Sequence, residues 1–170
     1  MRMPHCSRIK PYSETDSPAE RMKVIPNDIF FAEVERIIAE GNSVIVPVRG
    51  NSMRPFIRDG RTSVRMSPCD PQSLENGDIV LFKFRGQHVM HRIVKHNGDT
   101  LLLAGDGNYK KVERCSRGDV VAIVDAVIGR NGRTTLCDSR RWRLASRCWI
   151  SLHPFVRRCI LAFLWRIGIR

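Results

Sequence analysis

Three residues that are well separated in the chain could together carry out nucleophilic chemistry. Ser52 lies in the segment Arg49–Pro55, just after a run of β-branched residues, and His91 and Asp106 follow in that order. A serine hydroxyl becomes an effective nucleophile only when a base takes its proton and a third group holds that base in place. The sequence therefore predicts a serine peptidase, with Ser52 as nucleophile, His91 as general base and Asp106 as the carboxylate that orients the imidazole.

The residues around Ser52 favour a tight, well-fixed turn. Gly50 permits a positive φ or a close approach of the backbone, and Pro55 restrains the chain after the serine. Met53 and Phe56 are apolar side chains beside this polar turn, so we expect them either to anchor the loop or to line a pocket.

The histidine at position 91 lies inside a strand-like segment. Alternation along a strand places it on the same face as Val89 and Ile93. It is then either a core histidine with one satisfied nitrogen or a partly buried, neutral imidazole that can accept a proton. The competing histidines, His88 and His96, lie near turns and are expected to face solvent.

No metal or cofactor site is predicted. Asp106 belongs to the turn-like sequence Gly105–Asn108, which lacks the full ligand set of a calcium-binding loop. The six cysteines form no CxxC pair and have no zinc-type spacing with histidine. We expect the cysteines to be reduced, as in a cytoplasmic protein.

The elements that must position these residues are mostly strands. A helix is predicted from Asn27 or Asp28 to about Glu40, where Gly41 and Asn42 end it. Short β-branched runs between glycine-rich turns predict seven strands, and 79–84 with 88–95 form a hairpin. Pro47 places the first strand at an edge or next to an irregularity. The predicted strands are Ser43–Val48, Arg61–Met66, Ile79–Phe84, His88–Lys95, Thr100–Ala104, Val120–Ile128 and Thr134–Leu136.

Six or seven short strands with frequent turns indicate a mainly β protein, an antiparallel barrel or sandwich-like domain. We divide the chain into a flexible leader (1–26), a catalytic domain that includes the first helix (27–138) and a basic, helical C-terminal segment (139–170).

The charge is strongly positive, +12 overall, and it is concentrated at the C-terminus. Residues 139–170 contain eight arginines interleaved with tryptophan and phenylalanine, and no acidic residue. Such a segment suits an anionic membrane surface; the alternative is that Ile160, Leu161, Phe163 and Leu164 pack on the barrel. Nucleic acid is disfavoured as a partner because no DNA-reading motif is present. Without a secretory signal or a long apolar run, we expect a cytoplasmic or peripherally membrane-associated protein.

Four short motifs occur in a characteristic order. They are G-N-S-M-R-P at 50–55, G-D-I-V-L-F at 77–82, H-R-I-V at 91–94 and G-D-G-N at 105–108. Together, over roughly Val44 to Ile128, they resemble the type I signal peptidase superfamily, which includes the self-cleaving LexA-like repressors. The bacterial signal peptidases have a lysine base in a K-R pair. This chain has His91-Arg92 and so resembles the histidine-base branch of endoplasmic-reticulum and archaeal type.

The resemblance implies a signal-peptidase/LexA-type fold with Ser52 as nucleophile, His91 as base and Asp106 as the acidic member. The histidine branch usually has a second aspartate beyond the G-D-x-N box, where this chain has Val112 and Glu113. Either Asp106 alone orients His91, or Glu113 substitutes, or catalysis is impaired. A glycine at position 50 implies an oxyanion hole made by backbone N–H groups alone. Four lysines are alternative bases, but none occupies the motif position of His91: Lys83, Lys95, Lys110 and Lys111.

Two functions remain open. The first is a serine endopeptidase that cleaves a leader or signal-like peptide bound along a strand edge. The alternative is a non-catalytic or self-processing module of the same fold that binds anionic membrane, or less favourably nucleic acid, through residues 139–170. A LexA-like repressor is disfavoured because about 40 residues before the strands are few for a DNA-binding domain.

Overall fold

The computed structural model describes residues 27–108 and 110–167, so the predicted leader at 1–26 lies outside the described residues. The first element is the predicted amphipathic helix, α1 (Asn27–Ala39), which buries Val34 and Ile38. The helix ends where Gly41 takes a φ of +85° and the Asn42 N–H donates to the Ile37 carbonyl. This is the glycine termination that the sequence predicts.

Eight strands follow, and each of the seven predicted strands is confirmed, with ends that shift by one or two residues. The strands are β1 (Val44–Pro47), β2 (Thr62–Ser67), β3 (Ile79–Phe84), β4 (Gln87–Asn97), β5 (Thr100–Ala104), β6 (Val112–Ser116), β7 (Val120–Gly129) and β8 (Thr134–Leu136). The sequence pattern does not predict β6, because one of its two inward-facing residues is the charged Glu113.

All strand pairs are antiparallel, in the order β1-β2-β7-β3-β4-β5-β6, with β8 paired to β7. The register shifts in β2, β3 and β4, and such irregularities bend a sheet. The result is a curled half-barrel, which confirms the mainly β, barrel-like prediction. β1 and β6 are its edges, and the position of Pro47 in an edge strand matches the loss of a backbone donor at proline.

The curled sheet is covered on both faces around β3. Ile79 and Leu81 belong to one core cluster, which α1 and Trp142 help to close, whereas Val80 and Phe82 belong to a second cluster beneath β4 and β5. Because successive strand residues point to opposite faces, β3 is apolar at consecutive positions instead of alternating.

Two helices complete the described chain: α2 (Arg140–Ser151), capped by Ser139, and α3 (Pro154–Arg166), capped by His153. α2 buries Trp142 and Trp149, whereas α3 has no fully buried residue. Within α3, Ile160, Leu161 and Leu164 are half-buried, but Phe163 is 62% exposed, so only part of the predicted packing face meets the barrel. None of the helices in the described part of the chain has the length and apolar character needed to cross a membrane.

Candidate active site

Ser52 lies in the tight loop between β1 and β2 and is half-buried. Gly50 has a φ of +95°, as the turn requires, and its N–H donates to Asp59 Oδ1 at 3.1 Å. Met53, only 2% exposed, anchors the loop in the core and also lines the cavity that contains Ser52. Both of the roles considered for Met53 therefore apply.

His91 lies on β4, opposite Val80 of β3, and is 7% exposed. Its Nδ1 lies 2.8 Å from Oε2 of the buried Glu113 on β6. A carboxylate only accepts hydrogen bonds, so Nδ1 carries the proton and Nε2 presents its lone pair. Glu113 thus fixes the orientation and the tautomer of the imidazole, which is the arrangement a general base needs.

The Gly105–Asn108 loop packs against the backbone of the serine loop. The Gly107 N–H donates to the Ser52 carbonyl oxygen at 2.7 Å. A Cβ atom placed on Gly105 would lie 2.5 Å from that oxygen and 3.1 Å from His91 Nε2. Glycine is therefore required at position 105 for space, since both the Ser52 carbonyl oxygen and His91 Nε2 lie close to it.

Asp106 pairs with Arg92 and not, as the sequence predicts, with His91. Its two carboxylate oxygens accept from Arg92 Nε at 2.8 Å and Arg92 Nη2 at 2.7 Å. His91 and Arg92 are adjacent on β4 and point to opposite faces, so the carboxylate that reaches Arg92 cannot also hold the His91 ring. Of the alternatives open from the sequence, the contact to His91 is made by Glu113. Burial raises the pKa of Asp106, and the bidentate guanidinium opposes that effect.

Arg92 is fully buried and links the Asp106 loop to α2. Its Nη1 donates to the Gly77 carbonyl and to Ser146 Oγ, both at 2.8 Å. The guanidinium carbon also lies 4.9 Å from the centre of the Phe56 ring and 5.7 Å from that of Trp142. Phe56 therefore anchors the serine loop to the core beside Arg92 and Trp142.

Ser52 and His91 line one cavity of about 360 Å³. Most of its walls are apolar and come from the end of β1, from β2, β3 and β4, and from α1, which contributes Phe30 and Phe31. The residues that form the apolar lining are Phe30, Phe31, Val46, Pro47, Val48, Met53, Val64, Met66, Leu81, Val89 and Met90. Such a cavity suits an apolar side chain of a peptide.

Two of the competing bases, His88 and Lys83, pair with Glu35, although His88 also lines the cavity that contains Ser52. His88 was expected to face solvent, but it stacks on Phe31 at 4.8 Å and pairs with Glu35, because α1 packs over this end of β4. His96 is exposed, as predicted. Lys83 also pairs with Glu35, and Lys111 Nζ approaches Glu113 at 3.4 Å while remaining largely exposed.

Glu113 is the residue that the sequence motifs place least firmly. Glu113 is a charged residue in a short segment whose burial alternates. It lies at the place where the histidine-base branch usually has a second aspartate. Among the described residues, no group of histidine, cysteine, aspartate or glutamate side chains could hold a metal ion.

Comparison with protein families places this constellation in context. The model of the Peptidase S24-like family matches residues 10–128, a range that includes all four motifs and extends into β7. A search of curated proteins finds no match to the chain. Because the family match covers well over half of the sequence, the chain belongs to the Peptidase S24-like family.

Proposed function

We propose that the protein is a serine endopeptidase of the signal-peptidase-like type and of the histidine-base branch. Ser52 is the nucleophile, His91 the general base and Glu113 the group that orients the base. The observation that supports the proposal most directly is that the His91 ring, held by Glu113 at Nδ1, lines the same cavity as Ser52. Asp106 then acts on structure through Arg92 instead of acting on the imidazole.

The reaction divides into two steps. Ser52 Oγ attacks the peptide carbonyl while His91 Nε2 takes the hydroxyl proton, and the resulting imidazolium gives that proton to the departing amine. Water then attacks the acyl-enzyme ester, His91 accepts a proton from the water, and collapse of the second intermediate releases a carboxylic acid and restores Ser52. Glu113 stays ionised throughout and stabilises the imidazolium.

The negative charge that develops on the carbonyl oxygen needs donors close to the nucleophile. Position 50 is glycine and offers no hydroxyl, and its own N–H is engaged by Asp59. The Ser52 N–H is then the donor that we assign to the oxyanion. The glycines of the 105–108 loop support this role, because the Gly107 bond to the Ser52 carbonyl fixes the orientation of the serine backbone.

The substrate class follows from the shape of the site. β1 is a sheet edge that leads into the serine loop, so an extended peptide can pair along it and bring its scissile bond to Ser52. The apolar cavity beside Ser52 accepts an uncharged side chain next to the cleaved bond. These features fit a leader or signal-like peptide, in which an extended segment of small and apolar residues precedes the cleavage site.

Incubation of the purified protein with a library of leader-like peptides, followed by mass spectrometry, tests the proposal. We expect cleavage by the wild type and a loss of kcat on the order of 10⁵ or more in both Ser52→Ala and His91→Ala. Added imidazole should partly restore His91→Ala but not Ser52→Ala. His96→Ala, a change of an exposed histidine on the same strand, is the matched control and should keep full activity.

Equal turnover by the wild type, Ser52→Ala and His91→Ala would refute the proposal. The intact mass of each variant separates action on other chains from self-processing. Truncation of the wild type but not of Ser52→Ala, without turnover of any added peptide, would replace the proposed endopeptidase with a self-cleaving protein.

A further inference from the structure

The outward face of the α2–α3 pair is apolar and basic, and nothing within the described chain covers it. In α3, Phe155 and Phe163 are 68% and 62% exposed, and Cys159 lies between them at helical spacing. Three half-buried residues, Ile160, Leu161 and Leu164, face inward. α3 is therefore apolar on two opposite faces, of which only one meets the rest of the molecule. A helix with this pattern normally has a partner on its second face.

The two helices themselves carry charge of one sign, although Arg143 and Arg147 of α2 line a pocket together with Glu75 and Asp78. The exposed arginines 158 and 166 flank the phenylalanines, α2 exposes Arg140, Arg141, Arg143 and Arg147, and residues 139–167 contain no acidic side chain. Leu144 of α2, 65% exposed, adds apolar surface, and Trp165 of α3, 63% exposed, also lines the cavity beside the serine loop. Exposed aromatic side chains surrounded by arginines match the interfacial zone of a bilayer with anionic headgroups.

The face is held in a fixed position. Arg157 donates to the Ile150 carbonyl and lies 5.9 Å from the centre of the Trp149 ring, and Trp149 itself is buried against the body of the protein. On its inner side, α3 borders a cavity of about 310 Å³ together with residues of the serine loop, including Asn51 and Pro55. A surface bound by α3 would therefore lie close to the loop that carries Ser52.

We infer that the outward face of α2 and α3 docks the protein onto an anionic lipid bilayer, with Phe155 and Phe163 inserted at the headgroup level and the surrounding arginines paired with lipid phosphates. The complementarity of charge selects this partner over a second copy of the chain, since two such faces would repel each other. Nucleic acid would satisfy the arginines but would leave the row Phe155, Cys159 and Phe163 without an apolar environment.

Vesicle flotation tests the inference with full-length Ser52→Ala protein, so that the result is independent of peptidase activity. We expect binding to vesicles of phosphatidylcholine mixed with phosphatidylglycerol, and much weaker binding to phosphatidylcholine alone. Trp165 is the exposed tryptophan among the three in the chain, so its emission should shift to the blue on binding and be quenched by brominated lipid.

Two comparisons between variants test whether vesicle binding depends on this surface or only on net charge and general hydrophobicity. Phe155→Ser with Phe163→Ser should weaken binding at least about tenfold, because each ring removes apolar contact with the bilayer, whereas Leu136→Ser at β8 should not. Arg158→Glu with Arg166→Glu should also weaken binding about tenfold or more. Arg130→Glu with Arg133→Glu, exposed in the β7–β8 turn, changes the net charge equally and should have a smaller effect.

Three results would overturn the inference. The first is equal binding to neutral and anionic vesicles or to none. The second is loss of a dimer, seen by light scattering, as the main consequence of the two serine substitutions. The third is tighter binding to duplex DNA than to anionic vesicles at the same ionic strength. The inference and the proposed peptidase activity can each fail without the other, because one is measured by flotation of an inactive variant and the other by peptide cleavage.

Discussion

Two buried ion pairs start from neighbouring residues of β4 and have different surroundings. His91 pairs with Glu113 of β6 through one ring nitrogen, and its other nitrogen lies beside Gly105. Arg92 pairs with Asp106 through two bonds, and its remaining Nη1 is bonded to Gly77 and Ser146. The first pair leaves a proton acceptor available beside a cavity, whereas the guanidinium of the second is engaged on every side.

The difference shows how one strand can serve chemistry and structure at the same time. Alternation sends His91 and Arg92 to opposite faces of β4. His91 lies opposite Val80 of β3, whereas Phe56 and Trp142 enclose the Arg92 guanidinium on the other face. A buried charge such as Arg92, with four of its five N–H groups bonded, holds elements together. A buried imidazole with one free nitrogen can accept a proton. Substitutions in the His91–Glu113 pair should therefore mainly lower activity, whereas substitutions in the Arg92–Asp106 pair should mainly lower stability.

The largest expected effect concerns Glu113. Glu113→Gln keeps an oxygen that can accept from His91 Nδ1 but removes the charge that stabilises the imidazolium, so kcat should fall on the order of 10²–10⁴. The free energy of unfolding should change by less than about 1 kcal/mol, because the hydrogen bond is retained. Peptide cleavage and urea unfolding measure the two quantities. Glu75→Gln, at an exposed site, is the control, and full activity in Glu113→Gln would remove Glu113 from the mechanism.

The opposite result is expected for Asp106. Asp106→Asn leaves the buried Arg92 without its counter-charge, and the free energy of unfolding should fall by about 3–5 kcal/mol. The activity of the remaining folded protein should fall much less than in Glu113→Gln. Urea titration followed by tryptophan fluorescence measures the first quantity, and Asp99→Asn at an exposed turn is the control. A loss of activity with unchanged stability would mean that Asp106 belongs with His91 after all.

The smallest effect should come from Ser146 of α2, which accepts a hydrogen bond from Arg92. Ser146→Ala removes one acceptor of Arg92 Nη1, which keeps its bond to the Gly77 carbonyl, so we expect a loss of about 1–2 kcal/mol in the free energy of unfolding. Ser151→Ala, at an exposed serine of the same helix, should cost less. An equal effect of the two substitutions would show that α2 is not fastened to the core through Arg92.

Much of the fold could be predicted because its signals are local. The β-branched runs bounded by glycine turns indicate seven strands, and the termination of α1 at Gly41 is encoded within a few residues. β6 escaped prediction because hydrophobic alternation is the signal of a strand and Glu113 interrupts it. The inward direction of that carboxylate depends on His91, which lies on a strand far away in the sequence.

The partner of His91 could not be chosen from the sequence for a similar reason. Asp106 and Glu113 both follow β5 within a short distance, and each is buried beside β4. Which of them meets the imidazole depends on the face of β4 toward which each side chain points, and this is fixed by the curl and register of the sheet. Motif order locates the candidate residues but does not determine these faces.

The Gly107–Ser52 hydrogen bond also indicates at what stage of folding the site can form. It joins two loops that are distant in the chain, and His91 and Glu113 come from strands that meet only through β5. Contacts of such long sequence separation form late, after most of the entropy of loop closure has been lost. For the proposed peptidase, a nascent or partly folded chain would thus have Ser52 without its base until the sheet is complete.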